Sequence, residues 1–180
     1  MPKGDFYNTL NVLAQPKTEP RSLLRPSTNA TVQTSAQNKY ATSTRPASGT
    51  GSLVIKTEGM SYMRIVPFFQ NTGATTVTSP SMRVIGWSYS VEDAIFIPHL
   101  ICDVAVTLTT QDVTVNGVSM RQALSITKTY GDAKLYSSAS SPAAGVGILV
   151  DTLGCQSVEF AFAASSVANA PVATAYYSSM

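Results

Sequence analysis

The chain has 180 residues, enough for one domain with a real core and too few for two ordinary ones. Charged residues are 12% of it against the usual ~25%, and Ser and Thr, together about a quarter of the chain, take their place. The net charge of +2 says little, but no stretch approaches the ~18–20 apolar residues of a membrane-spanning helix, which argues against a membrane protein of that kind.

Residues 1–50 come first and read as a long irregular arm. They are rich in Thr, Ser, Asn, Gln, Ala and Pro and show neither helical nor strand periodicity. Pro16, Pro20, Pro26 and Pro46 break any long helix. Six basic residues (Lys3, Lys17, Arg21, Arg25, Lys39, Arg45) stand against Asp5 and Glu19, a net of +4. Such a segment cannot offset its own folding entropy and needs a partner surface to order it. Short apolar patches supply the anchors: Phe6 and Tyr7, Leu10, Val12 and Leu13, then Leu23 and Leu24, flanked by Arg21 and Arg25. Extended at ~3.3 Å per residue, fifty residues reach ~165 Å, ample to cross a neighbouring subunit. The basic residues are too dilute, and too interrupted by acids, for a genome-packaging run. Behind Met1-Pro2-Lys3-Gly4-Asp5 stands no apolar run of a signal peptide, so the expectation is synthesis in the cytoplasm of a host and two reduced thiols, Cys102 and Cys155.

Residues 51–180 are expected to form the folded domain, with six basic and eight acidic groups, a net of −2. Ser52–Thr57 reads as a short strand. Ser61–Phe69 follows with Pro67 inside, which marks an edge strand, a bulge or a strand end. Ser81–Trp87 is next. His99–Thr109 alternates most clearly, with Leu100, Cys102, Val104, Val106 and Leu108 on one face. Val113–Val118 contains Asn116-Gly117, the best hairpin-turn signal in the chain. Leu124–Tyr130, Val146–Asp151, Ser157–Ala163 and Pro171–Tyr177 complete the series. In Ser157–Ala163 the pattern puts Val158, Phe160 and Phe162 on one face and Ser157, Glu159 and Ala161 on the other. No segment reads as a helix of three turns. About eight short strands at this spacing predict an all-β fold, a jelly-roll-like β-sandwich.

A search for chemistry finds little. His99 is the only histidine and lacks zinc-type spacing partners, so it reads as structural. There is no Gly-x-Ser-x-Gly elbow, no phosphate loop and no Cys-x-x-Cys pair. Cys102, on the apolar face of its strand, reads as a small core residue. The carboxylates Glu92, Asp93, Asp103, Asp112, Asp132 and Asp151 are scattered along the chain. The expectation is a protein with no catalysis, no metal, no cofactor and no small-molecule substrate. Trp87, Tyr89 and Phe96 belong either to core and interface or, exposed on one face, to a carbohydrate-binding surface. Residues 135–180 carry only two charged side chains, Asp151 and Glu159, which points to burial between copies of the chain.

Met82-Arg83-Val84-Ile85-Gly86-Trp87-Ser88, followed by Phe96-Ile97-Pro98-His99-Leu100-Ile101-Cys102-Asp103-Val104, resembles small virion proteins of tailed bacteriophages. In these a strand ending in Gly-Trp is followed by an Ile-Pro strand start. Ile148-Leu149-Val150-Asp151 and Val158-Glu159-Phe160-Ala161-Phe162 are similar to the same pattern, so the likeness covers roughly residues 50–170. It implies a capsid-associated role, that of a decoration or cement protein at the virion surface, often a homotrimer, whose partners are the major capsid protein and copies of itself. Other expectations are a self-assembling jelly-roll coat subunit, a tail or head–tail component, and a carbohydrate-binding module.

Overall fold

A computed structural model describes residues 25–34, 52–57, 59–131, 133–136 and 146–179. Among them every regular element is a strand, as the Thr- and Val-rich, helix-former-poor composition requires. In chain order these are β1 (Arg25–Pro26), β2 (Ala30–Thr31), β3 (Ser52–Lys56), β4 (Tyr62–Phe69), β5 (Thr76–Thr78), β6 (Ser81–Ser90) and β7 (Ile95–Val115). Then follow β8 (Val118–Gly131), β9 (Ala133–Tyr136), β10 (Gly147–Asp151), β11 (Ser157–Ala163), β12 (Ser166–Ala168) and β13 (Val172–Ser179).

The main sheet runs β1-β13-β4-β8-β7-β6-β11-β3, with β10 bridging β4 to β9 and β2 beside β13. This path curls until it nearly closes, so that β3, β11 and β6 face β13, β4 and β10 across one core. Gln33 completes the curl: its N–H donates to the Phe162 carbonyl at 3.2 Å and its carbonyl accepts from the Ala164 N–H at 2.9 Å. A two-stranded sheet, β5 with β12, covers one end. The fold is therefore all-β and sandwich-like, as expected from the sequence.

The core is built from the inward side chains of both layers: Leu53, Met82, Val84, Cys102, Val104, Val158, Phe160 and Phe162 from one, Met63, Ile65, Phe69, Ile148, Val150, Ala173 and Ala175 from the other. Phe69 and Phe162 meet edge to face with centroids 5.6 Å apart, the geometry that brings ring edge to ring face. The alternation expected for β7 holds at Cys102, Val104 and Val106, all buried. Ile101 is buried as well, because Val84 pairs with Cys102 while Ile85 pairs with Leu100, leaving Ile101 as the extra residue of a bulge.

Two expectations about elements change. Val113–Val118 is not a separate strand: β7 continues unbroken from Ile95 to Val115 and turns at Asn116-Gly117 into β8. Pro67 does not lie on an edge strand. One edge of β4 pairs with β10 up to Ile65 and with β8 from Phe68, and Pro67 falls where the partner changes, at a point where its missing N–H interrupts neither pairing. All of β11 is buried, including the Ser157, Glu159 and Ala161 face.

Residues 25–34 fall inside the span read as arm, yet they pack on the body of the same chain. Arg25 and Pro26 pair with Tyr177 and Tyr176, and Ala30 and Thr31 with Ala173 and Val172. Ala30 and Val32 are core residues at 2% exposure.

Candidate interaction surface

The strand register defines two ends of the sandwich. At one lie the end of β6, the start of β7, the start of β4, the end of β10 and the loop from Thr152 to Gln156 that joins the two layers. Here β6 and β7 outrun their neighbours. β11 pairs with β6 only through Trp87, and β8 pairs with β7 only from Cys102 onward. Residues 88–97 therefore rise as a two-stranded ribbon beyond the sheet. Its turn is held by Ser90, whose Oγ donates to Asp93 Oδ2 at 3.0 Å and accepts from the Asp93 N–H at 3.3 Å.

The ribbon is apolar where a solvated hairpin would be polar. Val91 is 83% exposed, Ile97 49%, and Ile95 and Tyr89 are also exposed. Tyr89 leans on Phe96, with ring centroids 5.0 Å apart. Beside the ribbon, the Thr152–Gln156 loop presents Leu153 at 61% exposure, and β4 begins with exposed Tyr62. The loop conformation causes this: Leu153 and Gly154 both take positive φ, and the Leu153 N–H donates to Asp151 Oδ1 at 2.8 Å, a local turn that turns the side chain outward. Six of the eight exposed large apolar residues among those described thus gather at one end. Single exposed apolar residues need no explanation; a contiguous group of them marks an interaction surface.

At the base of the ribbon sits the closest approach to a chemical site. Cys155 Sγ lies 3.0 Å from His99 Nε2, and Gly86 leaves the space for both. The Thr57 hydroxyl donates to the Cys155 carbonyl at 2.5 Å, and the Cys155 N–H to the Thr152 carbonyl at 2.9 Å, which fixes the thiol in place. Burial raises the Cys155 thiol above its ordinary pKa, and burial lowers that of His99. Both shifts favour the neutral forms. A nucleophilic cysteine acts as its thiolate, the form that burial disfavours here. Among the described residues no group of three or more His, Cys, Asp and Glu comes together to hold a metal ion.

Two further polar pairs bridge neighbouring strands. Arg83 binds Asp103 through two of its guanidinium nitrogens, Nε to Oδ1 at 2.8 Å and Nη2 to Oδ2 at 2.5 Å. Fully buried Trp87 donates its Nε1–H to Glu159 Oε2 at 2.9 Å. Trp87 is therefore not a surface platform for a sugar ring. Near the opposite end a shallow hollow of about 310 Å³ lies among Val77, Pro80, Val106, Leu108 and Arg121, the last paired with Asp112 at 3.0 Å.

Of the anchors read from the sequence, Phe6, Tyr7, Leu10, Val12, Leu13, Arg21, Leu23 and Leu24 lie outside the described residues. The Arg25 backbone is part of β1. The exposed end and the His99–Cys155 contact carry no local sequence signal, since the latter joins residues 56 apart. Cys102 and Cys155 are both free and buried. No family model, no curated protein and no solved structure matches the chain.

Proposed function

We propose that this protein is a non-enzymatic structural component of a virion, a capsid cement or decoration protein. In this reading the sandwich associates as a homotrimer on the shell, and the N-terminal arm clamps neighbouring coat subunits. The observation that carries it is the clustering of exposed apolar side chains at one end of a body otherwise poor in charge. The buried Trp87 adds support, because it leaves no sugar platform at this residue. The likeness of residues 82–104 to tailed-phage virion proteins points the same way. Many copies on a lattice multiply weak contacts through avidity.

Co-sedimentation with capsids of the virus that encodes the chain tests the reading. Full-length protein is expected to pellet with capsids and to raise their resistance to heat. Protein lacking residues 1–24 is expected to stay folded by circular dichroism and to remain in the supernatant. Undiminished binding by the truncated protein overturns the clamp. Closed shells formed by the purified protein alone, seen in negative stain, would instead identify a coat subunit.

A further inference from the structure

We propose that the exposed apolar end of one copy is the docking site for residues 1–24 of a neighbouring copy. The proposal rests on the arm being an interaction segment, as in the function proposed above, and adds where it binds. The first argument is the point at which that segment leaves the body. Arg25 pairs with Tyr177, and Tyr177 with Ile65, three residues from Tyr62 at the apolar end. β1 runs antiparallel to β13, so Arg25 is the residue of β1 nearer that end. The second is reach: 24 residues extend to ~80 Å at ~3.3 Å each, against ~33 Å for the ten residues of β6, so a copy touching this end lies within range.

Complementarity is the third argument. The acceptor offers Val91, Ile95, Ile97, Leu153 and Tyr62, all exposed in the single chain. The segment offers Phe6-Tyr7, Val12-Leu13 and Leu23-Leu24 between polar stretches. Glu92 and Asp93, exposed at the ribbon tip, meet a segment with three basic and two acidic residues.

A mixing experiment with two chains of complementary defects tests this. One is full-length protein carrying Ile97→Asp and Leu153→Asp, which keeps the arm and spoils the acceptor. The other lacks residues 1–24 and keeps the acceptor. Sedimentation velocity is expected to show wild-type oligomers, each variant alone as a monomer, and a complex when the two are mixed. An anisotropy titration of a labelled peptide of residues 1–24 should saturate on the truncated protein and weaken at least ~10-fold on the Asp variants. Oligomers of the truncated protein equal to wild type, absence of a mixed complex, or unchanged peptide affinity on the Asp variants each overturn the proposal. So does a full-length chain that remains monomeric with its apolar end protected from solvent exchange, which would place the segment on its own body. Capsid co-sedimentation is read separately: exchange of arms without capsid binding sinks only the cement function, and capsid binding without exchange sinks only this docking site.

Discussion

Gly86 occupies the position where β6 passes closest to the ribbon's base. A Cβ there would collide with Cys155 Sγ and come within 2.6 Å of His99 Nε2. His99 and Cys155 are held by their own strand and loop, so neither can yield freely. Gly86→Ala is expected to destabilise the fold by about 1–3 kcal/mol, the usual cost of overpacking, read as a fall in the urea midpoint at unchanged slope. The same pair sets a pH dependence. His99 is lowered from its ordinary 6.5 by burial, so the unfolded chain takes up a proton first as pH falls. Stability from this group is full above 6.5 and declines as pH drops from there through the folded-state value. Cys155 is raised by burial, and Cys102 is pushed up from 9.0 to about 12, mainly by burial with Asp103 adding to it. For the thiols the unfolded chain loses its protons first, so stability declines as pH rises above about 9. Chemical melts from pH 5 to 10 should show a plateau with a fall on both sides. Replacing His99 by Gln should flatten the acidic fall, and native Cys102 should resist thiol reagents at pH 8.

The β7–β8 hairpin shows how one turn serves two purposes. Asn116 and Gly117 both take positive φ, the backbone that a two-residue hairpin turn requires and that Asn and Gly adopt at least cost. Asn116 Nδ2 also donates to the Ser27 carbonyl at 2.7 Å and to Asn29 Oδ1 at 3.0 Å. The hairpin tip thus pins the segment that carries β1 and β2, while Val115 and Met120 pack with Val66 and Phe68 as a small second core. Asn116→Gly keeps the turn and removes both bonds. It is expected to cost about 1–2 kcal/mol and to speed amide exchange at Ser27, whose N–H donates to the Ala175 carbonyl, more than in β6 or β11. Uniform acceleration across the sheet would mean that the turn, not the pin, had been damaged. The turn itself was legible from Asn-Gly in the sequence, because its cause is local. The continuity of β7 through Thr109–Gln111 was not, since three residues there face a single residue, Gln122, on β8 and only the pairing shows the irregularity.

For the molecule as a whole, the two cores decide where the chain can be cut. Ala30 and Val32 are buried, and Ser27 Oγ accepts from the Ala175 N–H at 3.0 Å. Removal of residues 1–24 should leave the thermal midpoint within a few degrees of the full chain. Removal of residues 1–34 strips β1, β2 and two core side chains and should cost at least ~3 kcal/mol, a drop of roughly 10 °C. Calorimetry of the two truncations separates a free arm from one that ends in the fold.

The sequence by itself determined the fold class, most strand positions, the lack of a helix among the described residues and the Asn116-Gly117 turn. These follow from propensity, period-two alternation and turn chemistry, all of which act over a few residues. Only the tertiary structure decided that Glu159 is buried against Trp87, that Cys155 meets His99, that residues 25–34 belong to the body, and that the exposed apolar side chains share one end. Each of these depends on register between strands tens of residues apart. No single strand carries that information, because the identity of a strand's neighbours is settled by how the whole sheet closes around its core.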